Sequence, residues 1–109
     1  MVGIFGGTFN PIHLGHLRAA EEVMDQLGLK HMIFIPSARP PHKTHENEII
    51  APAADRLEWV QKATEPDPRF EVDTIEMERP GPSYLVDTLS SLLETHAAQD
   101  LVFILGQDA

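Results

Sequence analysis

The stretch VGIFGGTFNPIHLGH, residues 2–16, decides the fold of this 109-residue chain. Residues 2–5 are apolar and end at two glycines, which predicts a short buried strand. A turn-rich loop follows over residues 6–13, and residues 14–27 then repeat apolar side chains every three or four positions, as on one face of a helix. The predicted inward positions are Leu14, Leu17, Ala20, Met24 and Leu27, with Gly28 as the C-terminal cap.

The rest of the chain alternates strands and helices in the same way. Further strands are predicted over residues 31–35, 70–77 and 101–105, and further helices over 52–64 and 84–97. The inward side chains expected on these two helices are Leu57, Val60 and Ala63, then Leu85, Leu89, Leu92, Leu93 and His96. The order β-α-β-α-β-α-β predicts an α/β fold: a Rossmann-like parallel sheet of about four strands with helices on both faces. In such open sheets, ligands bind beyond the carboxyl ends of the strands, at a topological switch point.

The charge is unevenly distributed along the chain. Seventeen acidic and eight basic residues give a net charge of −9, which argues against non-specific binding to nucleic acid or to an anionic membrane. Residues 1–45, however, hold three acidic residues, four basic residues and five of the six histidines. An anion would therefore meet clustered positive or hydrogen-bonding groups only in this first part of the chain.

Composition also limits the other classes of protein and site. The chain has no Cys, so disulfides and thiolate metal sites are excluded. It has no apolar run of membrane-spanning length and no signal-peptide pattern at its start, so a cytoplasmic location is expected.

The loop after the first strand has the composition of a phosphate site. Gly6 and Gly7 allow close approach of the backbone and positive φ, and Thr8 adds a hydroxyl. His13 and His16 flank the start of the helix, where free N–H groups and the positive end of the helix dipole attract anions. Neither the dinucleotide fingerprint nor the Walker A pattern is present. Taken singly, the glycines could form a plain turn and the histidines could be ordinary surface residues.

Three further strings accompany this loop, and together they resemble one family. GGTFNPIHLGH resembles the H-x-G-H signature of the nucleotidylyltransferase superfamily. PPHK at residues 40–43, GPSY followed by DTL at residues 81–89, and GQDA at residues 106–109 resemble motifs of the bacterial nicotinate-nucleotide adenylyltransferases. That family usually has Thr at the position of Leu85. The resemblance extends over the whole chain.

The resemblance implies a reaction and a set of site residues. The family transfers the adenylyl group of ATP to nicotinate mononucleotide with Mg²⁺, by direct attack of the mononucleotide phosphate on the α-phosphorus. The implied catalytic residues are His16 and His13, and His16 would donate a hydrogen bond at the α-phosphate. The implied ATP-binding residues are Gly6, Gly7, Thr8, Phe9, His13, His16, Gly106 and Asp108. The implied residues for the mononucleotide are Asn10, His42, Lys43, Ser83 and Tyr84.

Other interpretations of the sequence remain open. A pantetheine-phosphate adenylyltransferase or a cytidylyltransferase would share the first motif, although the PPHK and GPSY strings argue against both. Family members are longer and carry an I-S-S-T-x-x-R motif that this chain lacks, so residues 1–109 are expected to be the N-terminal part of one nucleotidylyltransferase domain. A non-catalytic nucleotide-binding module is therefore an open alternative. Self-association through a face that the missing part would cover is also predicted. No metal-ligand spacing is present, so no protein-borne metal site is predicted.

Overall fold

The computed structural model describes residues 1–37, 50–78, 85–97 and 100–105. Within these ranges the chain forms an α/β fold, as the sequence predicts. The elements in chain order are β1 Val2–Gly7, α1 Leu14–Leu27, β2 His31–Pro36, α2 Ala53–Thr64, β3 Phe70–Val72, α3 Ile75–Glu78, α4 Leu85–Leu93 and β4 Leu101–Leu105. No helix in this described part is long and apolar enough to cross a membrane.

All four strands are parallel and lie in the order β3-β2-β1-β4. From β1 the chain adds β2 and then β3 on one side, and β4 then returns to the other side of β1. The direction of winding therefore reverses between β1 and β4, which is the switch point where open α/β sheets bind ligands. The predicted parallel sheet and its four strands are confirmed.

The core is divided between the two faces of the sheet. Side chains alternate along each strand, so Phe5 and Phe34 pack with the buried residues of α1 and α2 on one face. Ile4 and Ile35 pack on the opposite face with Leu92 of α4. Helices thus cover both faces, and the strand ends are left as the exposed edge at which a ligand can bind.

The third strand is shorter than predicted. Only Phe70–Val72 is extended, and the predicted remainder of the strand turns into the single helical turn α3. The Asp73 carboxylate accepts a hydrogen bond from the Ile75 backbone N–H at 3.0 Å, a local turn that ends the strand and starts the helix.

The inward faces of the helices also differ in part from prediction. On α1, Ala20 and Met24 are buried as predicted, but Leu14 is 62% exposed and Leu27 is also exposed. On α4, Leu92 is buried while Leu93 is exposed. On α2 the buried side chains are Arg56, Val60 and Thr64, so the inward face is rotated from the predicted one by about one residue. A charged residue therefore occupies a position that an apolar one was expected to hold.

Gly3 of β1 faces the ends of two buried side chains, those of Met32 and Leu29. A Cβ atom at this position would lie 2.6 Å from Met32 Cε and 3.1 Å from Leu29 Cδ1. We expect Gly3→Ala to lower the free energy of unfolding by about 1–3 kcal/mol, since the Met32 and Leu29 side chains must move inside a packed core. Urea unfolding followed by the fluorescence of Trp59, the single tryptophan, measures this change. Gly6→Ala is the matched control, because no described atom lies within 4 Å of its Cβ position. Equal losses in the two variants would contradict the prediction.

Candidate functional site

The candidate site lies at the carboxyl edge of the sheet, around the end of β1. Gly7 pairs with Pro36 at the end of β2, and Gly6 pairs with Leu105 at the end of β4. The Ser37 backbone N–H donates to the Gly7 carbonyl at 2.9 Å and extends this contact beyond the strands. The strand ends on both sides of β1 thus frame the loop that carries the predicted phosphate-binding residues.

The backbone of this loop differs from the prediction at one position. Gly6 and Gly7 continue the strand and do not adopt positive φ. Positive φ occurs instead at Phe9, at 51°, and the following Asn10–Pro11 peptide bond is cis. The Phe9 ring is only 2% exposed and packs against Phe5 and Phe34. Any contact of Phe9 with a nucleotide is therefore confined to its backbone.

His13 and His16 cap the N-terminus of α1 with their own side chains. His13 Nδ1 accepts from the Gly15 backbone N–H at 3.1 Å, and His16 Nδ1 accepts from the His13 backbone N–H at 2.9 Å. This is a capping box in which two imidazoles replace the usual Ser or Thr and Glu. The ring centroids are 3.8 Å apart, so the structure brings together the two residues that the sequence singled out.

The two caps fix which ring nitrogen carries the proton. A neutral imidazole that accepts a hydrogen bond at Nδ1 has its proton on Nε2. Both histidines therefore present an Nε2–H donor on the side of the ring away from the helix. His13 is exposed and His16 is half-buried, with the Phe9 ring edge-on to His16 at a centroid distance of 5.3 Å.

The helix N-terminus supplies fewer free backbone donors than the sequence suggests. The Gly15 N–H is taken by the His13 ring, and the His16 N–H donates to the His13 carbonyl at 3.0 Å. The first turn of α1 contains no acidic residue, so no side chain there offsets the positive end of the helix dipole. The attraction for an anion comes from this dipole and from the imidazole donors.

Gly15 makes the histidine arrangement sterically feasible. A Cβ atom at Gly15 would lie 2.9 Å from His13 Cε1 and 3.0 Å from His13 Nδ1, inside the contact that the cap requires. Glycine at position 15 therefore keeps side-chain atoms away from the His13 ring. The two rings are in contact with each other, however, and no open gap separates them.

Gly15→Ala should separate stability from anion binding. Alanine favours the helix by about 0.5–1 kcal/mol over glycine, which offsets much of the cost of the displaced His13 cap. We expect a change of less than about 1 kcal/mol in the free energy of unfolding. The affinity for a phosphate-bearing anion should fall about tenfold, the effect of losing one hydrogen bond to a charged group. Titration with MgATP and urea unfolding measure the two quantities.

The control makes the same Gly15→Ala substitution in a variant whose capping side chain at position 13 is smaller. In a His13→Asn background the asparagine still caps the helix but has no ring near Gly15. Adding Gly15→Ala there should raise the free energy of unfolding. A gain of the same size in both backgrounds would show that the imidazole does not constrain position 15.

Thr8 and Asn10 have different surroundings. Among the described residues, no hydrogen bond engages the Thr8 hydroxyl, while the Thr8 carbonyl accepts from Arg56 Nη1 at 2.9 Å. Asn10 Oδ1 accepts from the Ala51 backbone N–H at 2.9 Å. The Asn10 carboxamide therefore holds the segment before α2 against the loop, which is a structural role that the predicted mononucleotide contact did not include.

Arg56 is a site residue that the sequence reasoning missed. It lies in the first turn of α2, is 1% exposed, and donates to backbone carbonyls at the ends of both β1 and β2. Burial lowers the pKa of its guanidinium, which nonetheless stays protonated at any physiological pH. The spacing of Arg56, Val60 and Thr64, four residues apart, was the one signal of an inward-facing arginine.

A buried carboxylate lies on the opposite face of the sheet at the same edge. Glu76 Oε1 accepts from the Ser37 hydroxyl at 3.1 Å, and Glu76 Oε2 accepts from the Thr88 hydroxyl at 2.5 Å. These bonds connect the end of β2 through α3 to α4. The carboxylate is thus held by hydroxyl donors within the fold.

Several predicted site residues lie outside the described residues. These are His42, Lys43, Ser83, Tyr84, Gly106 and Asp108. The side chain of Leu85, which the family usually replaces with Thr, is likewise outside the described set. Within the part of the chain that the structure does describe, no three His, Asp or Glu side chains are grouped so as to hold a metal ion.

Comparison with known proteins identifies the family of the chain. A family model described as cytidylyltransferase-like matches residues 4–109. A probable nicotinate-nucleotide adenylyltransferase of Geobacillus kaustophilus is 47% identical over 107 residues, which cover 98% of this chain and 49% of that protein. The protein of the same name from Thermus thermophilus is 47% identical over 108 residues, covering 99% of this chain and 56% of its own.

A solved structure shares the fold at much lower identity. Plasmodium falciparum nicotinic acid mononucleotide adenylyltransferase, complexed with NaAD, superposes with a TM-score of 0.70 at 14% identity. The match covers 96% of this chain and 50% of the other. The chain therefore spans about half the length of the curated relatives and of the solved structure that it matches.

Proposed function

The chain belongs to the cytidylyltransferase-like family, and we propose that it transfers the adenylyl group of ATP to nicotinate mononucleotide, giving deamido-NAD and pyrophosphate. The relatives that are 47% identical to it carry the name of this activity. The observation that carries the proposal is the His13–His16 pair, in which both Nδ1 atoms accept from backbone N–H groups, so that each ring carries its proton on Nε2. Two such donors beside a helix N-terminus are suited to phosphate oxygens.

The proposed reaction needs no covalent intermediate on the protein. A phosphate oxygen of the mononucleotide attacks the α-phosphorus of ATP, and the bond from that phosphorus to the bridging oxygen of the β-phosphate breaks. The electron pair of that bond leaves with pyrophosphate. Charge accumulates on the phosphate oxygens during this step, so catalysis consists of holding the two substrates in line and donating hydrogen bonds to the developing charge. In this proposal His16 donates at the α-phosphate and His13 donates beside it.

The remaining roles follow the resemblance to the family. The backbones of Gly6, Gly7, Thr8 and Phe9 would border the ATP phosphates, with Gly106 and Asp108 at the adenosine end. Asn10, His42, Lys43, Ser83 and Tyr84 would bind the mononucleotide. Mg²⁺ would enter as part of the MgATP substrate, because the described loop offers hydrogen-bond donors, which suit phosphate oxygens better than a cation. We also propose a cytoplasmic location and self-association of the chain. Sedimentation at micromolar concentration tests the self-association.

One experiment tests the reaction itself. The protein is mixed with MgATP and nicotinate mononucleotide, and pyrophosphate release is measured together with the dinucleotide product. Parallel reactions with nicotinamide mononucleotide, and with phosphopantetheine in place of the mononucleotide, test the acceptor. Release that depends on nicotinate mononucleotide supports the proposal. Nucleotide binding without turnover favours a non-catalytic binding module, and turnover only with phosphopantetheine would assign the chain to the other adenylyltransferase class.

A further inference from the structure

Arg56 connects three separate segments of backbone at the carboxyl edge of the sheet. Its Nη1 atom donates to the Thr8 carbonyl at 2.9 Å and to the Ser37 carbonyl, and its Nε atom donates to the Ala51 carbonyl at 2.8 Å. Thr8 follows β1, Ser37 follows β2, and Ala51 precedes α2. The side chain is almost fully buried, so solvent cannot replace these bonds.

Other hydrogen bonds join the same three segments to each other. The Ser37 N–H donates to the Gly7 carbonyl at 2.9 Å, and the Ala51 N–H donates to Asn10 Oδ1 at 2.9 Å. Arg56 therefore lies at the centre of a closed set of contacts. The partners are 48 and 19 residues away in sequence for Thr8 and Ser37, so this set forms only when the whole edge has assembled.

We propose that Arg56 is the positioning residue of the phosphate-binding loop, an inference that rests on the proposed function. Its bond to the Thr8 carbonyl fixes the Thr8–Phe9 peptide plane, which lies between the end of β1 and the two histidines that cap α1. The planar guanidinium carries several donors in fixed directions and can serve three carbonyls at once, whereas an ammonium group on a flexible stem cannot hold the same geometry. The Arg56 side chain is buried and bonded to the loop backbone, so its proposed action is on the loop.

The test compares three substitutions of Arg56 with one of Arg69. Arg56→Met keeps an unbranched stem that can remain packed and removes all the donors, and Arg56→Lys keeps the charge and one donating group. The control is Arg69→Met, because Arg69 lies just before β3 at the opposite edge of the sheet and pairs with Asp67 at 2.8 Å. Folding is monitored by circular dichroism and Trp59 fluorescence. MgATP affinity is measured by calorimetry under conditions in which each variant is fully folded.

The expected result is a loss of ATP affinity in the folded variants. The dissociation constant should rise about 10- to 100-fold in Arg56→Met, the effect of losing charge-assisted hydrogen bonds, and by less in Arg56→Lys. Ethylguanidinium at millimolar concentration should restore part of the affinity in an Arg56→Ala variant, and ethylammonium should restore less. Arg69→Met should bind MgATP as the unaltered protein does.

The other possible outcomes distinguish failure of this inference from failure of the proposed function. Folded Arg56 variants that bind MgATP with unchanged affinity would overturn the inference and leave the proposed function intact. Failure of the unaltered protein to bind MgATP would overturn the proposed function, and the inference with it. If neither Arg56→Lys nor Arg56→Met folds, Arg56 is a residue of the core and the positioning role is wrong.

Discussion

Replacement of His16 by alanine is expected to lower the rate of pyrophosphate release about 100- to 1000-fold, the usual effect of removing one hydrogen-bond donor from the stabilisation of a transition state. His16 is oriented for this donation, because its Nδ1 atom is bonded to the His13 N–H and its proton is therefore on Nε2. The loss should appear mainly in kcat, since the charge that His16 meets develops during the reaction. Steady-state assays at saturating MgATP and nicotinate mononucleotide measure it.

A capping control separates this chemistry from the structural role of the same side chain. His16→Ala also removes the cap and should cost about 1 kcal/mol of stability. His16→Gln keeps an oxygen that can accept from the His13 N–H, so its stability should stay close to that of the unaltered protein while its turnover remains low. His31→Ala is the surface control, because His31 is exposed at the amino end of β2. Turnover of His16→Ala within a few-fold of normal would exclude the proposed role.

Features determined by neighbouring residues could be predicted from the sequence. The bounds of α1 were predicted correctly because both ends carry local signals: His13 caps the start, and Gly28 ends the helix with φ of 67°. The third strand was predicted too long because its apolar pattern continues beyond Val72, while the Asp73 turn stops the strand. Leu14 and Leu27 fit the helical period but lie beyond the part of α1 that the sheet covers, so they are exposed.

The same distinction between neighbouring and distant partners applies to the candidate site. The imidazole pair could be predicted because His13, Gly15 and His16 are close in sequence and form their contacts within one helical turn. Arg56 could not, because its partners come from distant segments and a charged residue in an amphipathic helix ordinarily faces water. The same applies to Glu76, which meets Ser37 and Thr88 only after the sheet has formed. Buried charged residues whose partners are distant in the sequence are therefore the ones that a sequence pattern does not reveal.

Phe9→Ala is expected to produce the largest loss of stability, about 3–5 kcal/mol in the free energy of unfolding. The Phe9 ring is buried at the junction of the loop and the core, with centroids 5.5 Å from Phe5 and 5.9 Å from Phe34. The backbones of β1 and β2 are held to each other in the sheet, so they cannot move into the space that the Phe9 ring would leave. Urea unfolding followed by Trp59 fluorescence measures the loss. The ring also contacts His16, so the affinity for MgATP should fall in the same variant.

Comparison with Phe9→Gly tests the backbone at this position. Glycine in an ordinary position of a regular element is less stable than alanine by about 0.5–1 kcal/mol, because it loses more backbone entropy on folding. At a φ of 51° the order should reverse, since the left-handed region costs an L-residue about 1–2 kcal/mol and costs glycine almost nothing. Phe9→Gly should therefore unfold at a higher urea concentration than Phe9→Ala. The opposite order would mean that the loop does not hold Phe9 in the left-handed region. A loss well under 3 kcal/mol in Phe9→Ala would mean that the Phe9 ring does not fill the core beneath the loop after β1.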